Sequence, residues 1–270
     1  TTPYVSRVLK PEGIGIDATV TTIVQLFSVF ITLNLPLYGS RQIASKHDKL
    51  STSKEFWSIF SFQFFMATMN ILVYLIFIAL NANYQHLFYI HIFTLLAYSI
   101  DISWFFYGKE QIKKVSIRNM IVKLVGIFLI FKLVKSYDDL STYVAINAGT
   151  LFLGQLVMWV PLFKEVQFVK ITIKDVILHV KPIFVLFLPQ IMIQIYSLLN
   201  KIILANISGE VEVGFFNQGY KVITLALGII SSLGSVMLPR MASEFSQGNK
   251  EEMEKYVNFA LQFVLLITLP

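Results

Sequence analysis

Apolar runs of bilayer-spanning length divide this chain, and they leave few folds open to it. Ala18–Tyr38, Trp57–Leu80, His86–Tyr107, Met120–Val134, Tyr143–Phe163, Ile183–Ile207 and Val213–Leu238 follow one another across polar connections. A hydrocarbon core takes roughly 20 helical residues to cross, and backbone polar groups inside it must be satisfied within the segment itself. Continuous runs of this kind predict helices, because a membrane barrel would alternate apolar and polar residues. Hydrophobic residues make up 56% of the chain, charged ones 14%, and mean hydropathy is +0.68, values that ordinary soluble domains do not reach. The expected fold is an all-α polytopic membrane protein of about seven full spans. Thr1–Lys10 reads as the tail of an earlier helix, and the run from Val257 to Pro270 as part of a later one. The sequence thus reads as a piece of a longer protein.

The connections alternate in charge. "GSRQIASKHDKLSTSKE", "GKEQIKKVSIRN", the stretch from Lys164 to Lys181 and "PRMASEFSQGNKEEMEK" are basic, whereas "NANYQ", "KSYDDLS" and "SGEVE" are not. Basic loops stay in the cytoplasm, so the alternation orients every span. It also accounts for the net charge of +6 without a nucleic-acid partner. In Glu165–Lys181, Val166, Val169, Ile173, Val176, Ile177 and Val180 share one helical face with lysines largely opposite. That pattern predicts either a helix lying on an anionic inner leaflet or an extension of the next span. The expected organisation is a first lobe over residues 1–163, an amphipathic interfacial linker over 164–181 and the start of a second lobe over 182–270.

Lys201 and Lys221 lie well inside the two runs of the Ile183–Leu238 hairpin. A cation there is costly, so it faces a protein interior or wet cavity, or else snorkels to the interface. Two stretches also repeat: Pro36 answers Pro239, Arg41 answers Arg240, and Ala44 and Ser45 answer Ala242 and Ser243. An even number of spans between them gives both copies one orientation, which predicts two parallel lobes with a binding site at their interface. On this mapping Arg7 answers Lys201, and Asp17 lies near the level of Lys221.

With "TTPYVSRVLKPEGIGI", "LPLYGSRQIA", "ISWFFYGKEQIKKVSIRNMIVKL", "VKPIFVLFLPQ", "LLNKIILANISGEVEVGFFNQGYKVI" and "SSLGSVMLPRMASEF" in order, the chain resembles Wzx-type oligosaccharide flippases. These belong to the multidrug, oligosaccharidyl-lipid and polysaccharide exporter superfamily. The resemblance implies two lobes of six helices that move undecaprenyl-diphosphate-linked oligosaccharides across the plasma membrane by alternating access. Implied partners are that lipid-linked sugar, a bilayer with an anionic inner leaflet and polysaccharide polymerase machinery; no cofactor or metal is implied. Residue by residue, Arg7 matches the arginine of the family's "RVLGPEG", Lys201 the lysine of its "DK" and Lys221 the basic residue of its "QAQK". Asn200 replaces the usual aspartate and Lys10 the usual glycine.

Arg7, Lys201 and Lys221 are therefore the candidate diphosphate ligands. A guanidinium at Arg7 suits a diphosphate because it binds bidentately. Asp17 either gates the cavity by pairing with a lysine or caps its helix. Asp101 either couples transport to an ion or pairs with a loop lysine. Asn34, Gln190, Gln194 and Asn217 read as bonds between helices rather than sugar contacts. A drug exporter of the same superfamily would favour carboxylates in its cavity, and a membrane polymerase or ligase would need a large outward loop. With Cys at 0 and His at 4 without metal spacing, no catalytic constellation stands out, so the chain is not expected to be an enzyme.

Overall fold

In the computed structural model, residues 1–46, 48–80, 83–224, 227–228, 255 and 257–264 are described. They form helices: α1 (Thr2–Thr32), α2 (Leu35–Ala44), α3 (Lys49–Leu80), α4 (Gln85–Ile90), α5 (Ile92–Ser99), α6 (Ser103–Gly108), α7 (Ile112–Leu133), α8 (Leu140–Glu165) and α9 (Ile173–Ser208), with one 3-10 turn at Tyr137–Asp139. Residues 210–224 are helical as well. Five stretches are long and apolar enough to cross a membrane: Thr2–Ala44, Lys49–Leu80, Gln85–Gly108, Tyr137–Glu165 and Ile173–Ser208. The protein is an all-α, multi-pass membrane protein. Helix α7 is also 22 residues long, but Lys113, Lys114, Arg118, Lys123 and Lys132 lower its hydropathy.

The chain separates into two compact units, Thr1–Gly214 and Phe215–Pro270. In the second, helical residues 215–224 carry Phe216 stacked on Tyr220, and residues 257–264 carry Phe259 stacked on Phe263. All that follows on packing concerns the first unit. Its inner core, nearest the basic connections, gathers Phe56, Ile59, Trp104, Phe105, Phe106, Leu162 and Ile183. Its outer core gathers Val20, Tyr74, Ile78, Leu87 and Phe88.

Breaks in the helices differ from the expected ones, and each has a local cause. The first span begins at Pro11 rather than Ala18, because only Lys10 leaves helical geometry (φ 58, ψ 170). Proline lacks an N–H and fits the first turn of the resuming helix. The same helix ends earlier than Tyr38, at two successive left-handed residues, Leu33 (φ 45) and Asn34 (φ 57). Pro36 follows within the first two positions of α2 and stops the α1 hydrogen-bond ladder from running on. Asn34 Nδ2 donates to the Leu186 carbonyl at 3.1 Å, the bond between helices that its sequence suggested.

What reads as a long polar loop after Tyr38 is mostly helix. Only residues 45–48 separate α2 from α3, and α3 starts eight residues before Trp57. Asp48 makes this start possible by accepting the Ser51 N–H at 2.8 Å, an N-terminal cap. The Ser51 hydroxyl, and after it that backbone bond, hold the Asp48 carboxyl below the usual carboxylate range.

The span expected over His86–Tyr107 bends at His91 and breaks at residues 100–102. Tyr74 Oη donates to the Phe88 carbonyl at 2.8 Å beside the bend. At the break, backbone groups lose their helical partners, and in a bilayer each would be costly. Gln63, 1% exposed, supplies them: Nε2 donates to the carbonyls of Tyr98 and Asp101, each at 3.0 Å, and Oε1 accepts from Trp104 Nε1 at 3.1 Å. Trp159 Nε1 donates to the Ile100 carbonyl at 3.0 Å, and Asp101 Oδ1 accepts the Ser103 N–H at 2.8 Å.

A separate interfacial helix over Glu165–Lys181 does not form. Residues 166–172 are not helical, with Val166 and Thr172 extended at either end, and the helix from Ile173 runs on without a gap to Ser208. Side chains of α3 take the backbone bonds that would have made that helix. Gln167 N–H donates to Ser53 Oγ at 2.9 Å, Trp57 Nε1 donates to the Gln167 carbonyl at 2.9 Å, and Phe168 stacks on Trp57. Thr172 and Asp175 then open α9 with reciprocal side-chain-to-backbone bonds. The amphipathic face thus extends the span from residue 173, the simpler of the two expectations.

Candidate functional site

Helix α9 packs along α1, and the outer end of this seam is built around two bare glycines. A Cβ on Gly15 would collide with the carbonyl of Glu210, and one on Gly214 with the carbonyl of Pro11. Backbone therefore meets backbone here, which only glycine permits. Tyr84 Oη, on the connection before α4, donates to Glu210 Oε1 at 2.8 Å and closes the seam from the side. Burial and this carboxylate push the Tyr84 phenol up to about 12, so it stays a donor at physiological pH.

Just inside the closure lies a cavity of about 160 Å³ lined by Thr19, Ile23, Asn83, Tyr84, Asn206 and Glu210 among others. Thr19 Oγ1 is buried in it without a hydrogen-bond partner among the described residues. Ile202, Ala205 and Asn206 give α9's contribution, a stripe at helical spacing. Lys201 flanks this stripe, about 100° round the helix from Ile202, and is half-buried.

The remaining expected site residues fall in different places. Arg7 is exposed on the short helical segment before Lys10, which packs on α7 and α8 through Val5 and Leu9 and by a 2.8 Å bond from Tyr4 Oη to the Val134 carbonyl. Asp17 is half-buried, six residues beyond Pro11. It is therefore not an N-terminal cap, and Thr21 Oγ1 donates to it at 3.4 Å. Asp101 sits at the inner break, bonded to the Ser103 N–H and within the field of Arg118 on α7. Lys221 is half-buried in the helical residues of the second unit. Pro239, Arg240, Ala242 and Ser243, the second copy of the repeat, lie outside the described residues.

A second polar cluster ties the inner ends of α2, α3 and α9. Tyr38 Oη and His179 Nδ1 are 2.7 Å apart, His179 Nε2 lies 3.8 Å from Glu55, Lys46 pairs with Glu55 at 3.4 Å and Lys54 with Asp175 at 2.8 Å. Thr19, Tyr84 and Glu210 are not among the residues the sequence singles out, Glu210 leaving a trace only as the first acid of "SGEVE", and His179 enters there only as one of four histidines without metal spacing.

Residues 1–245 match the family described as "Polysaccharide biosynthesis protein". Two curated relatives, each named "Putative O-antigen transporter", are similar along nearly the whole chain. The one from Shigella dysenteriae is 25% identical over 267 residues, 96% of this chain and 67% of the relative. The one from Escherichia coli strain K12 is 26% identical over 253 residues, 90% of this chain and 60% of the relative. The chain thus spans roughly three-fifths to two-thirds of their lengths. No solved structure matches it. With the family matched over residues 1–245 on a bundle of bilayer-length helices, the chain belongs to the polysaccharide biosynthesis protein family, as its resemblance to Wzx-type flippases implied.

Proposed function

We propose that this chain is part of a bacterial inner-membrane transporter that flips undecaprenyl-diphosphate-linked oligosaccharide units for surface polysaccharide synthesis, and is not an enzyme. The names of the two relatives support transport of polysaccharide units. The observation that carries the finer reading is the polar cavity on the α1–α9 seam, flanked by Lys201 and roofed by backbone. A seam closed at its outer end by close backbone packing and a hydrogen bond is the kind of contact that alternating access opens and closes. On this reading Arg7, Lys201 and Lys221 bind the diphosphate, residues 1–163 and 182–270 belong to two lobes, and polymerase machinery takes over the delivered unit. Asp17 would bias the seam electrostatically, whereas the bond from Ser103 makes Asp101 a positioning group for the inner break.

The test is export of surface polymer by the full-length protein in a strain lacking its own flippase, comparing wild type with Lys201→Ala, Lys221→Ala and Arg7→Ala at matched membrane abundance. Loss of surface polymer with lipid-linked precursor retained on the inner face is the expected result. Export equal to wild type in all three would move the binding site elsewhere.

A further inference from the structure

Outside the seam, a groove of about 510 Å³ lies between α7 and α8. We propose that it holds one acyl chain of an anionic phospholipid of the inner leaflet, with Lys114 and Arg118 receiving the phosphate. The walls are apolar, with Ile121 and Val125 on α7 facing Leu153 and Val157 on α8. Lys114 and Pro161 mark its inner end, Val125 and Thr150 its deep end. Eleven residues of α7 separate the two ends, about 16 Å, or half of a roughly 30 Å hydrocarbon core. The groove is therefore one leaflet deep and opens where inner-leaflet headgroups lie.

Its inner end is built rather than accidental. Arg118 is 8% exposed, donates through Nη2 to Ser103 Oγ at 2.7 Å, and keeps Nε buried without a hydrogen-bond partner among the described residues. Lys114 Nζ stands 3.5 Å from Glu165 Oε1 and 5.6 Å above the Phe106 ring. Lys109, Lys114 and Arg118 against Glu165 and Asp101 leave a net positive charge at the mouth, which a phosphodiester neutralises. Gly154 shapes the floor: a Cβ there would collide with Val122 and come within 3.5 Å of Arg118 Cδ. Helix α7 packs chiefly on α8 and α6, so within the first unit the groove lies on the perimeter, away from the α1–α9 seam. A bilayer lipid enters it sideways. A polyprenyl tail several times longer than one leaflet outruns it, which favours a resident phospholipid over the transported carrier.

The full-length protein carrying the photocrosslinking residue benzoylphenylalanine at Val157, in phosphatidylcholine nanodiscs with a minority of phosphatidylglycerol, tests this. The crosslinked lipids are identified by mass spectrometry, with Phe128, exposed on α7 outside the groove, as the control position. Phosphatidylglycerol should exceed its bulk share several-fold at Val157 and match it at Phe128. Lys114→Ala should abolish the enrichment and Lys114→Arg should keep it. Capture at the bulk share at Val157 overturns the proposal, as does displacement of phosphatidylglycerol by added lipid-linked oligosaccharide diphosphate, which would assign the groove to the carrier. Neither outcome depends on whether the full protein transports that carrier.

Discussion

Lys10→Gly is expected to stabilise the protein, although it removes a side chain and loosens the unfolded chain. Lys10 holds φ 58 and ψ 170 at the junction between Thr2–Leu9 and the helix resuming at Pro11. That region of backbone space is nearly reserved for glycine, and a residue with a Cβ held there costs about 1–3 kcal/mol. Glycine gives back about 0.4–1 kcal/mol through the greater freedom of the unfolded chain. Since Lys10 is exposed, losing its side chain changes little else. The net gain is about 1–2 kcal/mol, roughly a fivefold to thirtyfold shift in the folded-to-unfolded ratio. Reversible unfolding of the full-length protein in mixed micelles by increasing dodecyl sulfate measures this. Lys10→Ala is the control, because alanine keeps the Cβ and hence the strain, and should leave stability near that of wild type. If Lys10→Gly proves no more stable than Lys10→Ala, Lys10 is not held in this conformation and the reasoning fails.

Gln63→Leu should cost roughly 2–5 kcal/mol in the same unfolding measurement, because it strands the Asp101 carbonyl and the Trp104 N–H at the α5–α6 break in apolar surroundings and leaves the Tyr98 carbonyl only the Asp101 N–H; a loss below 1 kcal/mol would mean that water or a neighbour satisfies them. Gly15→Ala should open the outer end of the seam, since its Cβ meets backbone that no rotamer change can move. A faster reaction of a cysteine placed at Thr19 with a membrane-impermeant maleimide would register the opening, and an unchanged rate would refute it. Tyr84→Phe should raise the same labelling several-fold by removing the bond to Glu210. In the wild type that bond has a fixed pH window. The phenol pKa is raised on folding, so its stabilisation is complete below the unfolded value near 10 and lost as pH rises through about 12. Labelling should therefore be flat from pH 6 to 9, and a rise within that range would contradict the assignment.

The sequence made the helices legible because hydropathy and lysine distribution report the bilayer directly, and the bilayer dictates both. It misplaced their ends where polar residues were read as loop. Arg41 and Lys54 are charged and still helical, since a helix leaving the membrane needs no apolar face. The caps were there to be read: Asp48 before Ser51, and the Thr172-to-Asp175 spacing that starts α9 past the non-helical stretch. The left-handed pair Leu33–Asn34 carried no glycine to announce it, only Pro36 two residues later. At the candidate site, single cations stand out in an apolar run, which is why Lys201 was visible. Tyr84 and Thr19 were not, because a tyrosine in a short turn or a threonine in a span gains its role only from what the opposite helix presents.

Helix α9 has mechanical consequences of its own. At 36 residues it is about 54 Å long, far more than the bilayer core needs. It is moored at both extremities, by Asp175 and His179 to α2 and α3 at one end and through the adjoining Glu210 to Tyr84 at the other. Between the moorings, Pro182 and Pro189 each delete a rung of the hydrogen-bond ladder within two turns of each other. That weakened stretch is braced from the side, because Ile183 is buried in the inner core and Asn34 Nδ2 holds the Leu186 carbonyl, so α9 bends there only when that bond breaks.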